Sequence, residues 1–228
     1  MLAVAAMLGS CGADGPDGPR DTAIDRDAAI AAAVDVRADG CGPRIGFGSG
    51  AVIGGGDIVT AAHVVAGASA IEVIDIDGVR SAATAVYFDP QLDLAVLRPV
   101  EAVGTPVPLR RDDARAGEAG IVVLPRLTED AVVVEVAEVS VIRAVNIETT
   151  DIYREADVTR EGFEVEGSID PGDSGALVVL PGGGAGIVWA RSNRRAQRAW
   201  AIDLPTQIRH GTAPSPDARP VDVGPCLP

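Results

Sequence analysis

Apolar and polar positions along this chain form short runs, broken at regular intervals by Gly, Pro, Asp and Asn. Residues 26–33 are alanine-rich and predict a short helix, and residues 34–37 (Val-Asp-Val-Arg) alternate as a first strand. Residues 45–53 read as a strand whose glycines permit close backbone approach, and residues 54–56 (Gly-Gly-Gly) as a hairpin turn. A short strand follows at 58–60, then a helical turn at 61–65. Strands 70–75 and 80–88 are joined across Asp77-Gly78, a dipeptide suited to the positive φ angles of a tight hairpin. Residues 93–97 read as a buried strand. Further strands are predicted at 120–124, 131–137, 140–147, 162–165, 176–180, 186–190 and 198–202, and a last helical turn at 205–210. About a dozen short strands separated by turns indicate an all-β barrel or sandwich. No internal repeat is visible.

Composition narrows this picture. The 228 residues are enough for one large or two small domains. Apolar residues make up 47% and aromatics only 3%, so the core must be built from Val, Ala, Ile and Leu, which favours strands. The formal net charge is −14, and all 19 basic residues are Arg. Such an acidic chain argues against nucleic acid or an anionic membrane surface as partner. After the first ten residues no stretch of about 18 apolar positions occurs, so the body contains no membrane-spanning segment.

The first ten residues are small and apolar, and Leu8-Gly9-Ser10-Cys11 resembles the lipobox of bacterial lipoproteins. Export is therefore expected, to the cell envelope or periplasm or as a secreted protein, with Cys11 as the lipidation site and a possible lipid anchor. The apolar run is short and no positive residue precedes it. Residues 12–25, rich in Gly, Pro and Asp, read as a flexible tether, leaving 26–228 as the folded domain.

The chemistry concentrates at residues 169–180, Ile-Asp-Pro-Gly-Asp-Ser-Gly-Ala-Leu-Val-Val-Leu. A Pro171-Gly172 turn followed by Asp173-Ser174-Gly175 can aim the N–H groups of Gly172 and Ser174 into one small cavity. It also leaves the Ser174 hydroxyl at the cavity edge. A hydroxyl beside two aligned donors is what acyl transfer requires, as nucleophile and oxyanion hole. The base comes from only two histidines. His63 lies in apolar sequence where a strand meets a helical turn, whereas His210, next to Arg209 and Gly211, reads as a surface residue. An imidazole acting as base needs an acceptor at its other nitrogen, and Asp93, heading the apolar run Leu-Ala-Val-Leu, fits that need. Asp75, Asp77 and Asp89 sit in more polar, turn-like sequence and read as solvated. Taken singly, two of these features have plainer readings: His63 as a satisfied core histidine and Asp93 as a turn or strand cap.

Thr60-Ala-Ala-His63, Asp93-Leu-Ala-Val-Leu97 and Gly172-Asp-Ser174-Gly175, in that order, resemble the trypsin-like serine proteases. The likeness covers roughly residues 34–210. It implies two six-stranded antiparallel β-barrels, at about 34–108 and 117–205, with the active site in the cleft between them. His63 and Asp93 would come from the first barrel and Ser174 from the second, with Gly172, Asp173 and Ser174 forming the oxyanion loop. Within the family the chain is most similar to HtrA-like proteases without a PDZ domain and to the periplasmic domains of membrane-anchored acid-resistance proteases. The latter carry cysteines in places matching Cys41 and Cys226, which implies a disulfide between them. The resemblance also implies a specificity pocket with Ser168 as its floor and Trp189, Ala190 and Arg191 as its wall. Ser168 is not an acid, so preference for Arg or Lys is not expected, and Arg191 would favour a small or acidic residue.

The expected function is that of a serine endopeptidase acting on protein or peptide substrates, with no cofactor. No metal-ligand spacing is present. One alternative is a protease-like binding or sensing module without catalysis. Another is an esterase using Ser174, Asp203 and His210. In that case, however, the apolar run after Ser174 reads as a strand rather than the helix of a nucleophile elbow.

Overall fold

A computed structural model of the chain describes residues 23–42, 46–129, 131–209 and 215–228. Cys11, the tether up to residue 22 and His210 lie outside the described residues. Helix α1 (Arg26–Ala32) is capped by Asp25, whose carboxylate accepts the Ala28 N–H at 3.0 Å. The first barrel follows, from β1 (Ala33–Asp39), β2 (Gly46–Val52), β3 (Ile58–Thr60), β4 (Ala70–Asp75), β5 (Arg80–Asp89) and β6 (Leu94–Pro99). Helix α2 (Ala62–Val65) lies between β3 and β4. The second barrel contains β7 (Ala119–Leu127), β8 (Val132–Thr150), β9 (Asp157–Glu166), β10 (Leu177–Leu180), β11 (Gly183–Arg191) and β12 (Arg198–Asp203), followed by helix α3 (Leu204–Arg209).

The spatial orders are β1-β2-β3-β6-β5-β4 and β10-β11-β12-β9-β8-β7, each sheet closing on itself through antiparallel pairs. Closure leaves neither sheet with a long free edge. Both interiors are filled mainly by Val, Ala, Ile and Leu. Phe163 is the one fully buried aromatic side chain among the described residues. The larger cluster joins first-barrel residues such as Val34 and Leu97 to Ile121, Leu177 and Ile202 of the second, so apolar packing crosses the junction.

Three readings of the sequence are corrected. The segments 131–137 and 140–147 are one 19-residue strand, β8. Its first half pairs with β7 and its second half with β9, and a register shift between Val141 and Arg143 bends it from one partner to the other. Asp93 precedes β6 rather than opening it. Asp75 is buried, not solvated: its carboxylate accepts the N–H groups of Asp77, Val79 and Gly104 at 2.9–3.0 Å and so fixes the hairpin.

Residues 215–228 run along the first barrel. The Arg98 guanidinium donates to the carbonyls of Ser215, Pro216 and Ala218, and Val221 N–H donates to Ala85 O at 2.8 Å. A disulfide joins Cys41 to Cys226, with Cα atoms 5.6 Å apart. Gly67 lies against it at φ 72°, where an added Cβ would fall 2.5 Å from Cys41 Sγ, so only glycine fits.

Candidate active site

Asp93 sits at the end of a short turn between β5 and β6, at φ 62°. This left-handed conformation is open to Asp at modest cost and turns the carboxylate inward, where the residue is 3% exposed. There it meets the start of α2. Asp93 Oδ1 accepts the His63 backbone N–H at 2.9 Å, and both carboxylate oxygens lie 2.9–3.0 Å from His63 Nδ1. The Asp93 carbonyl accepts the Ala62 N–H at 3.1 Å. One residue thus fixes both the backbone and the ring of His63. An acceptor-only carboxylate at Nδ1 assigns the proton to that nitrogen and leaves Nε2 with a lone pair.

Burial acts most strongly on the His63 ring and disfavours its charged form. The charge of Asp93 and its hydrogen bond outweigh burial, Arg160 opposes them, and the net pKa stands above the ordinary histidine value of 6.5.

Ser174 lies in the loop before β10. Its carbonyl accepts the Ser49 N–H of β2 at 2.8 Å, and Gly175 packs so closely that an added Cβ would lie 3.1 Å from Ala61 N. The serine loop therefore rests directly on the segment that leads into His63. No hydrogen bond joins the His63 ring to the Ser174 hydroxyl among the described residues. Within the loop the N–H groups of Asp173, Gly175 and Ala176 donate to the carbonyls of Asp170, Val188 and Asp173. Among the described residues those of Gly172 and Ser174 have no protein acceptor. Gly172 sits at φ 100°, in the left-handed region that favours glycine. Asp173 also contributes its carboxylate to this loop.

That carboxylate is buried. Oδ2 accepts the Asp170 N–H at 2.7 Å, and Oδ1 lies 2.9 Å from Arg126 Nη2 on β7. Burial dominates the Asp173 pKa and lifts it above the ordinary range despite these two partners. Neither Arg126 nor Arg160 gave a sequence signal beyond being a cation in an otherwise strand-like run.

Ser168 and Arg191 are exposed, and Ala190 is half-buried. Trp189 occupies the register shift of β11 and places its ring 4.5 Å from the Arg160 guanidinium carbon. On the other side of the serine loop a cavity of about 230 Å³ is lined by Phe47, Gly48, Pro125, Arg126, Leu127 and Gly172, among others. Phe47 is 58% exposed there, and sequence reasoning did not single it out. Asp203 caps α3 by accepting the Thr206 N–H at 2.8 Å.

A trypsin-like peptidase domain model matches residues 48–185, more than half of the chain and a span that includes His63, Asp93 and Ser174. The chain belongs to this family. This trypsin-like chain is 28% identical over 182 residues to serine protease Rv3671c of Mycobacterium tuberculosis H37Rv, an alignment covering 79% of the chain and 45% of that protein. It thus spans less than half the length of this curated relative. Among solved structures, the active form of the M. tuberculosis Rv3671c protease superposes with a TM-score of 0.76 at 23% identity, covering 89% of this chain and 88% of that one. The HtrA-type protease AlgW with a decapeptide gives a TM-score of 0.64 at 21% identity, covering 81% and 64%. No helix of the trypsin-like chain, among the described residues, is long and apolar enough to cross a membrane.

Proposed function

We propose that this chain is a serine endopeptidase that cleaves protein or peptide substrates through an acyl-enzyme. The observation that carries this reading is His63 held at Nδ1 by a buried Asp93, with the serine loop seated on the segment before it. With its Nδ1 proton committed, His63 Nε2 takes the Ser174 hydroxyl proton as the oxygen attacks a substrate carbonyl. Charge developing on the carbonyl oxygen is met by the N–H groups of Gly172 and Ser174. His63 then returns the proton to the leaving amine, and water hydrolyses the ester by the same route in reverse. The Asp93 carboxylate stabilises the imidazolium.

A fluorophosphonate probe tests this directly. Wild type should be labelled, Ser174→Ala should not, and His210→Ala should be labelled like wild type. Equal labelling of wild type and Ser174→Ala, or none of either, would favour a silent binding module. Loss of labelling in His210→Ala would favour the esterase.

The absence of an acid at Ser168 and the position of Arg191 support cleavage after small or acidic residues. A peptide library cut chiefly after Arg would overturn that preference. Export is supported by the Cys41–Cys226 disulfide, which suits an oxidising compartment. Cys11 is the proposed lipid attachment site, to be checked by mass spectrometry of the membrane fraction.

A further inference from the structure

Arg160 projects from β9 of the second barrel yet is only 3% exposed. Its Nε–H donates to the Gln91 carbonyl at 2.8 Å, its Nη2 donates to the Thr150 carbonyl at 3.2 Å, and Trp189 covers its face. Gln91 belongs to the first-barrel turn that ends at Asp93. The same turn receives a second bond from the other barrel, Ile152 N–H to Pro90 O at 3.1 Å, and is closed on its own side by Asp89, which accepts the N–H groups of Gln91 and Leu92. A left-handed Asp93 persists only where its surroundings over-determine the conformation, and these bonds supply that constraint. A buried guanidinium is costly to desolvate, and this one is met by two carbonyls, an aromatic face and the field of nearby carboxylates.

We propose that Arg160 is a positioning residue for the His63–Asp93 pair: reaching across from the second barrel, it pins the turn that carries Asp93 and sets a fixed positive charge beside the pair. The inference rests on the serine-protease reading for its catalytic consequence, but not for its electrostatic one. The alignment of base and carboxylate then depends on how the two barrels dock. The charge acts in a definite direction. Asp93 and Arg160 are the charged groups acting on His63, and Asp93, Asp151 and Asp89 are those acting on Arg160. Asp93 favours the protonated ring; Arg160 opposes it and keeps more of the base neutral.

Arg160→Met and Arg160→Lys test this on the whole chain. In a His210→Ala background a single imidazole remains, so NMR follows the His63 titration without relying on activity. In Arg160→Met the His63 midpoint should rise. The kcat on a peptide substrate should fall on the order of tenfold or more, with a smaller change in KM, as expected for a misplaced base. Arg160→Lys should keep the midpoint near that of wild type and recover part of kcat. A folded Met variant with wild-type kcat overturns the pinning role, and one that keeps wild-type kcat with an unmoved or lowered midpoint overturns the placement of the charge as well. If the Met variant does not fold, a Lys variant with wild-type kcat overturns the pinning role. If wild type shows no Ser174-dependent turnover, the protease reading falls, while the titration still judges the placement of the charge.

Discussion

Asp93 holds His63 through three contacts, one to the backbone N–H and two to the ring, from a conformation most side chains avoid. Asn in its place keeps the size but offers a donor where an acceptor is needed, and favours the wrong tautomer. Asp93→Asn should therefore lower kcat by about 10⁴-fold while leaving the melting temperature nearly unchanged. The pH profile gives a second, signed test. On the proposed mechanism His63 works as a neutral base, and its pKa is raised, so kcat/KM of wild type should fall as pH drops through a midpoint above 6.5. In Asp93→Asn only burial and Arg160 remain, and both lower the pKa, so the residual activity should persist to lower pH. Arg126 acts on the other half of the site. Arg126→Met leaves Asp173 buried beside the oxyanion loop without its cation. Because Arg126 is 38% exposed, the stability loss should be modest, about 1–3 kcal/mol by denaturant titration, with kcat reduced more than KM is raised.

At the scale of elements, the second barrel hangs on β8 and β9. Phe163 of β9 is fully buried, and Gly186 of β11 lies flat against it, an added Cβ falling 2.8 Å from the ring. Phe163→Ala should cost about 3–5 kcal/mol, read as a shift in denaturation midpoint, because a core of small aliphatics cannot fill the space of a phenyl ring. Elements whose code is local were legible in the sequence. Asp77-Gly78 marked its hairpin, the apolar run after Asp93 marked β6, and Gly172-Asp-Ser174 marked the loop before β10. Those defined by distant partners were not. The bend in β8 arises because one strand serves two neighbours, and at Asp75 the hairpin donors Asp77 and Val79 are local while the third, Gly104, lies 29 residues on. Arg160 and Gln91 are 69 residues apart, beyond any window in which polar pattern is informative.

For the molecule as a whole, the carboxyl-terminal segment and the disulfide join what the strands leave separate. On the chain-entropy argument a cross-link across 185 residues stabilises the fold by about 5 kcal/mol, so reductant should lower the denaturation midpoint of wild type but not that of Cys41→Ser/Cys226→Ser. The covalent ring begins at Cys41, and β1 (Ala33–Asp39) lies just outside it while supplying a stave between β2 and β4. Under tension applied at its two ends, this protein is therefore a loop with one detachable piece. Force would strip α1 and β1 and breach the barrel that bears His63, then stop at the sulfur bond, giving a short extension of fixed length that lengthens only after reduction.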